Sequence, residues 1–248
     1  MKIIAKMRVF ELCRDFRPYY DSELIHRLDD LSIIMRVKRL AMLLSGLKQL
    51  QSHSIELEQY PTSGDLAARW LTDISSFGDL FEGCSVVDLG AGNGVLGLGA
   101  LTLGAGKAIL IDSEEEACYT AMENADLMGL THSVKIIHAT LGVDEIDFPS
   151  SDLIITNPPW GRQTSRADRP FLDAILSEKK TTHLMHSAGA GHIDSFFDLN
   201  GWESDRYGEA DFPLPAVFSH HTSRRGKTRA AFWRLSPEKN IDIVPDRS

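Results

Sequence analysis

Cysteine is scarce in this chain, and the three that are present, Cys13, Cys84 and Cys118, lie far apart. They form no Cys-x-x-Cys pair and have no paired histidines at metal-ligand spacing, so the sequence indicates neither a disulfide framework nor a zinc site. Unpaired thiols fit a reducing compartment. We therefore predict a cytoplasmic protein that holds no metal.

Long hydrophobic runs and an excess of positive charge are also missing. No stretch approaches the roughly 18 apolar residues of a membrane span, and Lys2 and Lys6 interrupt the first residues too early for a signal peptide. The formal net charge of -9 over 248 residues argues against a protein that coats nucleic acid with its whole surface. It leaves room for a local basic patch.

What the sequence does contain is an alternation of β-branched runs with helical patterns. The predicted strands are 85–89, 108–111, 134–138, 153–156, 182–186 and 228–235. Such alternation predicts an α/β fold with a doubly wound parallel sheet in a single domain. We assign residues 35–240 to this domain, residues 1–34 to a peripheral N-terminal helical extension, and residues 241–248 to a C-terminal tail.

Two helical patterns precede the first predicted strand. From Met35 onward, leucines recur at helical spacing among basic residues, which indicates an amphipathic helix. Further on, Pro61 biases Tyr60 towards an extended conformation. Thr62 or Ser63 can then cap a second helix.

A glycine loop follows the first predicted strand. Residues 92–97 fit the dinucleotide fingerprint GxGxxG, with Asp112 about 20 residues further on as a ribose-binding acid. The same region also fits the pattern Asp88-x-Gly-x-Gly-x-Gly of enzymes that use S-adenosylmethionine (SAM). An acid beside a pyrophosphate would be repulsive, whereas Asp88 can stand near the ammonium group of SAM. The loop therefore favours SAM over NAD.

The stretch around which the chain is organised is 152–161, where a buried strand ends at Asn157-Pro158-Pro159-Trp160. Prolines cannot donate to a strand ladder, so they end the strand in a stiff turn. Open α/β sheets bind their ligands at this carboxyl edge. The Asn157 side-chain carbonyl and the Pro158 backbone carbonyl offer two acceptors beside the flat ring of Trp160. This set suits a planar group that carries an exocyclic NH2.

In this order, Gln59-Tyr60-Pro61-Thr62, the glycine loop 88–96 and the turn 157–161 resemble one family in particular. It is the methyltransferase-like protein five family, adenine-N6 methyltransferases of small-subunit ribosomal RNA in eukaryotes and archaea. The resemblance runs from about Met35 to Leu235. It implies the Rossmann-like fold of class I methyltransferases, an α/β fold with a doubly wound, seven-stranded, mostly parallel sheet. It implies SAM as cofactor, with Asn157, Pro158, Pro159 and Trp160 as the catalytic residues around the target adenine. The predicted cofactor-binding residues are Gln59, Thr62, Asp88, Gly90, Gly92, Asn93, Gly94, Val95, Asp112, Thr140 and Leu141.

The chain departs from the family pattern at two positions. Trp160 stands where the family usually has Phe, and stacking on the base should survive that change. Thr140 stands where the third strand usually ends in an Asp that contacts the cofactor's adenine. The Thr140 hydroxyl can accept one hydrogen bond, or Asp144 substitutes for the missing acid.

Basic residues cluster near the predicted catalytic turn and near the last strand, which suits contacts with RNA phosphates. The predicted RNA-binding residues are Arg162, Arg166, Arg224, Arg225, Lys227 and Arg229. Rival substrates remain open: a protein glutamine amide, a DNA adenine and an RNA guanine each carry an NH2 group that fits the same acceptors.

The resemblance also implies a protein partner. The predicted strand 134–138 should lie at a sheet edge in the strand order that such methyltransferases share. An apolar edge is a liability unless it is covered. The expected cover is a small zinc-binding activator protein that adds a strand there.

Overall fold

The structure, a computed structural model, describes residues 22–50, 61–160, 166–212 and 228–237. The chain divides into two compact units, Met1–Arg39 and Leu40–Ser248. Within the described ranges, no helix is both long enough and apolar enough to cross a membrane.

The described helices and strands alternate along the chain. The helices are α1 (Ser22–Ser45), α2 (Gly64–Ser76), α3 (Val95–Thr102), α4 (Glu115–Leu127), α5 (Arg169–Glu178) and α6 (His192–Leu199), with a short 3-10 turn at Thr131–Ser133. The strands are β1 (Ser85–Leu89), β2 (Lys107–Asp112), β3 (Val134–His138), β4 (Leu153–Thr156), β5 (Thr182–Ser187), β6 (Trp202–Phe212) and β7 (Thr228–Pro237).

The described strands form one seven-stranded sheet in the order β3-β2-β1-β4-β5-β7-β6. Strands β1 to β5 pair in parallel, and β7 runs antiparallel to both β5 and β6. The predicted α/β fold and mostly parallel sheet are therefore confirmed, as is the edge position of β3. Because Leu89 pairs with Thr156, β1 and β4 end side by side, and the loops that follow them meet at one edge.

One strand was not located from the sequence. Strand β6 is rich in acidic and polar residues and has no apolar run, so periodicity did not identify it. It lies at the sheet edge beside β7 and pairs with it along its whole length, from Trp202–Pro237 to Phe212–Thr228. An edge strand with one solvated face carries less apolar sequence than a central parallel strand.

The N-terminal helical patterns also differ in detail from the prediction. Helix α1 begins at Ser22 rather than near Met35, so the predicted boundary after residue 34 falls inside it. Leu40, Leu44 and Leu47 are buried, whereas Leu43 is exposed. At the start of α2, Ser63 is the capping residue, because its hydroxyl accepts the Leu66 N–H at 3.3 Å.

Tight packing of α3 on the sheet fixes the position of the glycine loop. All seven residues from Val95 to Leu101 are buried. A Cβ atom at Gly97 would lie 2.2 Å from Leu110 Cδ2, so glycine allows the helix to pack on β2 without displacement of the Leu110 side chain. The start of α3 is thereby held against the carboxyl halves of β1 and β2.

A buried polar network joins the start of β5 to neighbouring segments. His183 Nε2 lies 3.0 Å from Asp79 Oδ2, and His183 Nδ1 lies 2.9 Å from the Tyr207 hydroxyl, to which Trp70 Nε1 donates at 2.8 Å. Because the Asp79 carboxylate only accepts, His183 Nε2 donates to it, and Nδ1 of the neutral ring accepts the Tyr207 O–H. Arg234 donates to both Asp79 oxygens. Despite the opposing effect of burial, these bonds hold the pKa of Asp79 well below its usual range.

Candidate active site

The glycine loop begins where β1 ends and folds back over the sheet edge. Gly90 has a φ of +71°, and a Cβ atom there would lie 2.9 Å from Phe171 Cε1. Its N–H donates to the Ile111 carbonyl at 2.8 Å, which ties the loop to the end of β2. Glycine at this position therefore allows the loop to pack against the Phe171 ring, and both residues line the cavity described below.

Asp112, the last residue of β2, holds this loop from the other side. Its Oδ2 accepts the Gly92 N–H at 2.8 Å, and its Oδ1 accepts the Glu114 N–H at 3.0 Å. Burial raises the pKa of Asp112, although these backbone hydrogen bonds oppose the rise. Each carboxylate oxygen keeps further acceptor capacity, so the pair can accept hydrogen bonds from a vicinal diol such as a ribose.

Asp88 lies beneath the loop rather than along the cavity that the loop lines. Its Oδ2 accepts the Gly97 N–H of α3 at 2.9 Å, while its Oδ1 is buried without a hydrogen-bond partner among the described residues. Burial raises the pKa of Asp88 to about 7, and the nearby charge of Asp112 adds to the rise. The structure thus gives Asp88 a role in fixing the start of α3, and the predicted direct contact with a bound ammonium stays a prediction.

A network that sequence reasoning missed fixes Asn93. The Asn93 amide donates to the Lys48 carbonyl at 2.9 Å, and the fully buried Asn124 amide donates to the Asn93 carbonyl at 2.9 Å. Asn124 also accepts the Lys48 N–H at 2.8 Å and donates to the Lys48 carbonyl at 3.1 Å. The segment after α1 is thereby bound to the glycine loop. The sequence signal for this network was Asn124 itself, an asparagine within helix α4.

After β3, the chain turns at Thr140, the position where the sequence predicts a replacement for a missing acid. Thr140 and Leu141 both line the cavity. Asp144 accepts the Thr140 N–H at 2.7 Å and lines a neighbouring hollow instead. Asp144 therefore stabilises the turn and does not line the cavity, and its predicted role as a substitute acid stays a prediction.

The turn after β4 holds the Asn157 amide at both ends. Asn157 Nδ2 donates to Thr62 Oγ1 at 3.1 Å, and Asn157 Oδ1 accepts the Trp160 indole N–H at 3.0 Å. Thr62, predicted to contact the cofactor, is thus joined to the predicted catalytic asparagine. The carbonyl oxygen of Asn157 has a second lone pair with which to accept an N–H from a ligand.

Trp160 is more enclosed than a free stacking platform would be. Only 7% of its surface is exposed. Its ring centroid lies 4.7 Å from that of Phe212, at the end of β6, and 6.1 Å from that of His186, at the end of β5. The indole is therefore held rigidly by packing, and part of it still lines the cavity.

These elements enclose one cavity of about 300 Å³, within the lower range of small-molecule sites. Most of the predicted site residues line it: Thr62, Gly90, Gly92, Asn93, Val95, Asp112, Thr140, Leu141, Asn157, Pro158, Pro159 and Trp160. Asp88 and Gly94 do not. Gly94 has a φ of +83°, and a Cβ atom there would meet Leu98, Ala121 and Leu110, so it serves helix packing instead. Gln59 lies outside the described residues.

A cluster of Asp168, His186 and His192 lies behind Trp160. One ligand atom from each falls within 4.8 Å of the others. However, His186 Nδ1 accepts the Ser187 N–H at 2.8 Å, so Nδ1 carries no proton and Nε2 carries one. Nε2 lies 3.3 Å from Asp168. That nitrogen is a donor rather than a metal ligand. Burial alone would raise the pKa of Asp168, but the two imidazoles lower it to about 2.

Of the predicted RNA-binding residues, the structure describes Arg166 and Arg229. Arg166 is exposed beside the hollow that Asp144 lines. Arg229 is 60% exposed and forms an ion pair with Glu209 at 3.0 Å. Glu209 therefore offsets part of the positive charge at the start of β7. Arg162, Arg224, Arg225 and Lys227 lie outside the described residues.

The chain is similar in sequence to several known proteins. Residues 65–158 match the family of ribosomal protein L11 methyltransferase (PrmA). The uncharacterized protein MJ0284 of Methanocaldococcus jannaschii is 30% identical over 82% of this chain and 94% of its own length. The rRNA N(6)-adenosine-methyltransferase METTL5 of Danio rerio is 27% identical over 82% of this chain and 100% of its own length.

A solved structure resembles the whole fold. PH1948 from Pyrococcus horikoshii, a candidate RNA methyltransferase, superimposes with a TM-score of 0.72 at 31% identity. The match covers 83% of this chain and 100% of PH1948. Similarity of this extent joins the chain to full-length proteins rather than to one shared motif.

Proposed function

Because this chain belongs to the methyltransferase-like protein five family, we propose that it transfers a methyl group from SAM to the N6 amino group of an adenine in small-subunit ribosomal RNA. The chain is a SAM-dependent methyltransferase. The Asn157 amide stands at the carboxyl end of β4 and lines the cavity together with the glycine loop and Asp112, which supports an amino group as the acceptor. The observation that favours a ribosomal RNA adenine over other amino groups is the similarity to the rRNA N(6)-adenosine-methyltransferase METTL5 of Danio rerio.

The cavity fits the cofactor on two grounds. The glycine loop lines it with the backbone of Gly90 and Gly92, and Asp112 offers two carboxylate oxygens to ribose hydroxyls. The unpartnered Asp88 oxygen lies beneath the loop, and its contact with the ammonium group of SAM is proposed from the sequence motif. When bound, SAM supplies an electrophilic methyl group. Thr62, Asn93, Val95, Thr140 and Leu141 complete the proposed cofactor site, and Gln59 is proposed to join them.

The proposed role of Asn157 and Pro158 is to make a poor nucleophile usable. The lone pair of an adenine amino group is delocalised into the ring. Hydrogen bonds from its two N–H groups to Asn157 Oδ1 and to the Pro158 carbonyl would localise that lone pair and aim it at the methyl group. Positioning of this kind is a large part of catalysis between two bound reactants. Pro159 stiffens the turn, and Trp160 bounds the base.

The base must leave its stack to reach this turn, as enzymes that act on a nucleobase generally require. We propose that Arg166 and Arg229 contact the RNA backbone, together with Arg162, Arg224, Arg225 and Lys227. Since Arg229 is paired with Glu209, phosphate binding there must compete with an existing ion pair. Contacts of this type would make RNA affinity depend strongly on salt.

We also propose a cytoplasmic location and a small zinc-binding activator protein at the β3 edge. The outer side of β3 is not paired within the described sheet. Helix α4 packs beside β3 and exposes Tyr119, Met122 and Leu127. A strand added to β3 would satisfy its open backbone groups, and the same partner could cover these apolar side chains.

The test is to incubate the protein with labelled SAM and separate pools of RNA, DNA and protein. The proposal predicts label in RNA, recovered as N6-methyladenosine from small-subunit ribosomal RNA. Label in a glutamine-containing protein, and none in RNA, would assign the enzyme to protein glutamine methylation. Label in DNA adenine or in RNA guanine would equally overturn the proposal.

A further inference from the structure

The orientation of the Asn157 amide depends on which partner can only donate. A primary amide can turn by 180° and exchange its oxygen with its nitrogen. The Thr62 hydroxyl suits either orientation, because it can donate as well as accept. The Trp160 indole N–H can only donate, so it requires the amide oxygen. With Oδ1 at Trp160, 3.0 Å away, Nδ2 must face Thr62, as it does at 3.1 Å.

The direction of the indole N–H is itself fixed by packing. Trp160 is 7% exposed and packs against the rings of Phe212 and His186. His186 is in turn fixed by its hydrogen bond from the Ser187 N–H. Rotation of the indole away from Asn157 would therefore disturb several packed side chains. His186 and Phe212, at the ends of β5 and β6, thus fix the Trp160 ring, and the ring fixes the Asn157 amide at the end of β4.

We propose that Trp160 is a positioning residue that acts through Asn157, an inference that rests on the proposed function of that asparagine. Its N–H holds the amide with the oxygen available to an incoming amino group. The flipped amide would present NH2 to NH2, and two donors repel. The indole N–H thus raises the fraction of enzyme that can accept the target, in addition to any contact that the ring makes with the base.

The sharpest test changes the N–H alone. Trp160 is replaced by benzothienylalanine, which keeps the bicyclic shape and puts sulfur where the indole has N–H. We expect kcat to fall about three- to tenfold, as for loss of one hydrogen bond. The KM for SAM and the cavity packing should be unchanged. Trp160→Phe should lose at least as much, because it removes both the N–H and part of the ring.

A matched control separates the effect on kcat from the general effect of losing a buried indole hydrogen bond. Trp70 donates to the Tyr207 hydroxyl at 2.8 Å and does not line the cavity. The same replacement at Trp70 should lower thermal stability and leave kcat unchanged. If the Trp160 isostere keeps the full kcat, or if both isosteres lower kcat equally, the positioning role is refuted.

A spectroscopic measurement tests the hydrogen bond from Trp160 to Asn157 without any methyl acceptor. In protein with ¹⁵N-labelled tryptophan, the Trp160 indole N–H should exchange slowly with water, and Asn157→Ala should accelerate that exchange. Fast exchange in the unmodified protein would overturn the hydrogen bond itself. If the enzyme methylates a glutamine amide instead of RNA, the proposed function fails, and the kcat comparison is then made with that substrate.

Discussion

Asp112→Ala should weaken SAM binding at least tenfold, equivalent to about 1.4 kcal/mol. The carboxylate lines the cavity and already holds the glycine loop through the Gly92 N–H at 2.8 Å. Alanine removes the ribose acceptors and releases that N–H together. A hydrogen bond to a charged group contributes about 1.5–3 kcal/mol, so the loss of even one such bond meets the tenfold threshold.

Two further variants separate these effects. Asp112→Asn keeps one oxygen that can accept the Gly92 N–H but loses the charge, so its affinity should fall between those of wild type and Asp112→Ala. Asp126→Ala removes an exposed carboxylate from α4 and should bind SAM normally. Isothermal titration calorimetry measures all four proteins with SAM and with NAD. Unchanged SAM affinity in Asp112→Ala, or binding of NAD without SAM, would contradict this account of the cavity.

Three other predictions address the rest of the molecule. Burial raises the pKa of Asp88 to about 7 in the folded protein, so its contribution to stability should be complete below about pH 4 and lost as the pH rises to about 7. The free energy of unfolding of Asp88→Asn, measured in urea, should therefore depend less on pH over this interval than that of the wild type. An identical pH dependence would refute the raised pKa. Ile137→Pro, in edge strand β3, should abolish co-purification of the proposed activator while leaving the fold intact, whereas a wild-type protein that is monomeric and fully active alone would remove the need for that partner. A chain that starts at Met35 should fold and bind SAM, because it retains the buried Leu40, Leu44 and Leu47; loss of cooperative unfolding would show that the preceding residues belong to the core.

The sequence predicted most of the sheet well because these strands are apolar, β-branched runs, and β1, β2, β4 and β5 are almost wholly buried. Strands β1, β3 and β4 begin and end at the predicted residues, and β2, β5 and β7 differ by one or two residues at their ends. Strand β6 escaped prediction, since an edge strand with one solvated face is rich in acidic and polar residues. The start of α1 escaped it too, because charged and apolar residues mix there without a clear period.

For the site, sequence motifs identified most of the residues that line the cavity, but not the residues that hold them in place. The glycine loop and the asparagine-proline turn could be recognised because their chemistry is local. Asn124 is 76 residues from Lys48 and 31 from Asn93, so its role depends on tertiary contacts. The enclosure of Trp160 likewise depends on Phe212, at the far end of the unpredicted strand β6. Asp88 matched the SAM motif, but in the structure its side chain is buried beneath the glycine loop and does not line the cavity.

The measurement that tests the central claim most directly is nucleoside mass spectrometry of small-subunit ribosomal RNA after incubation with SAM and either wild type or Asn157→Ala. The wild type should produce N6-methyladenosine. The variant should be slower by orders of magnitude while its SAM affinity stays nearly unchanged, since the lost hydrogen bond strengthens in the transition state. Equal rates for the two proteins, or methyl transfer to a glutamine peptide and to no RNA, would contradict the account.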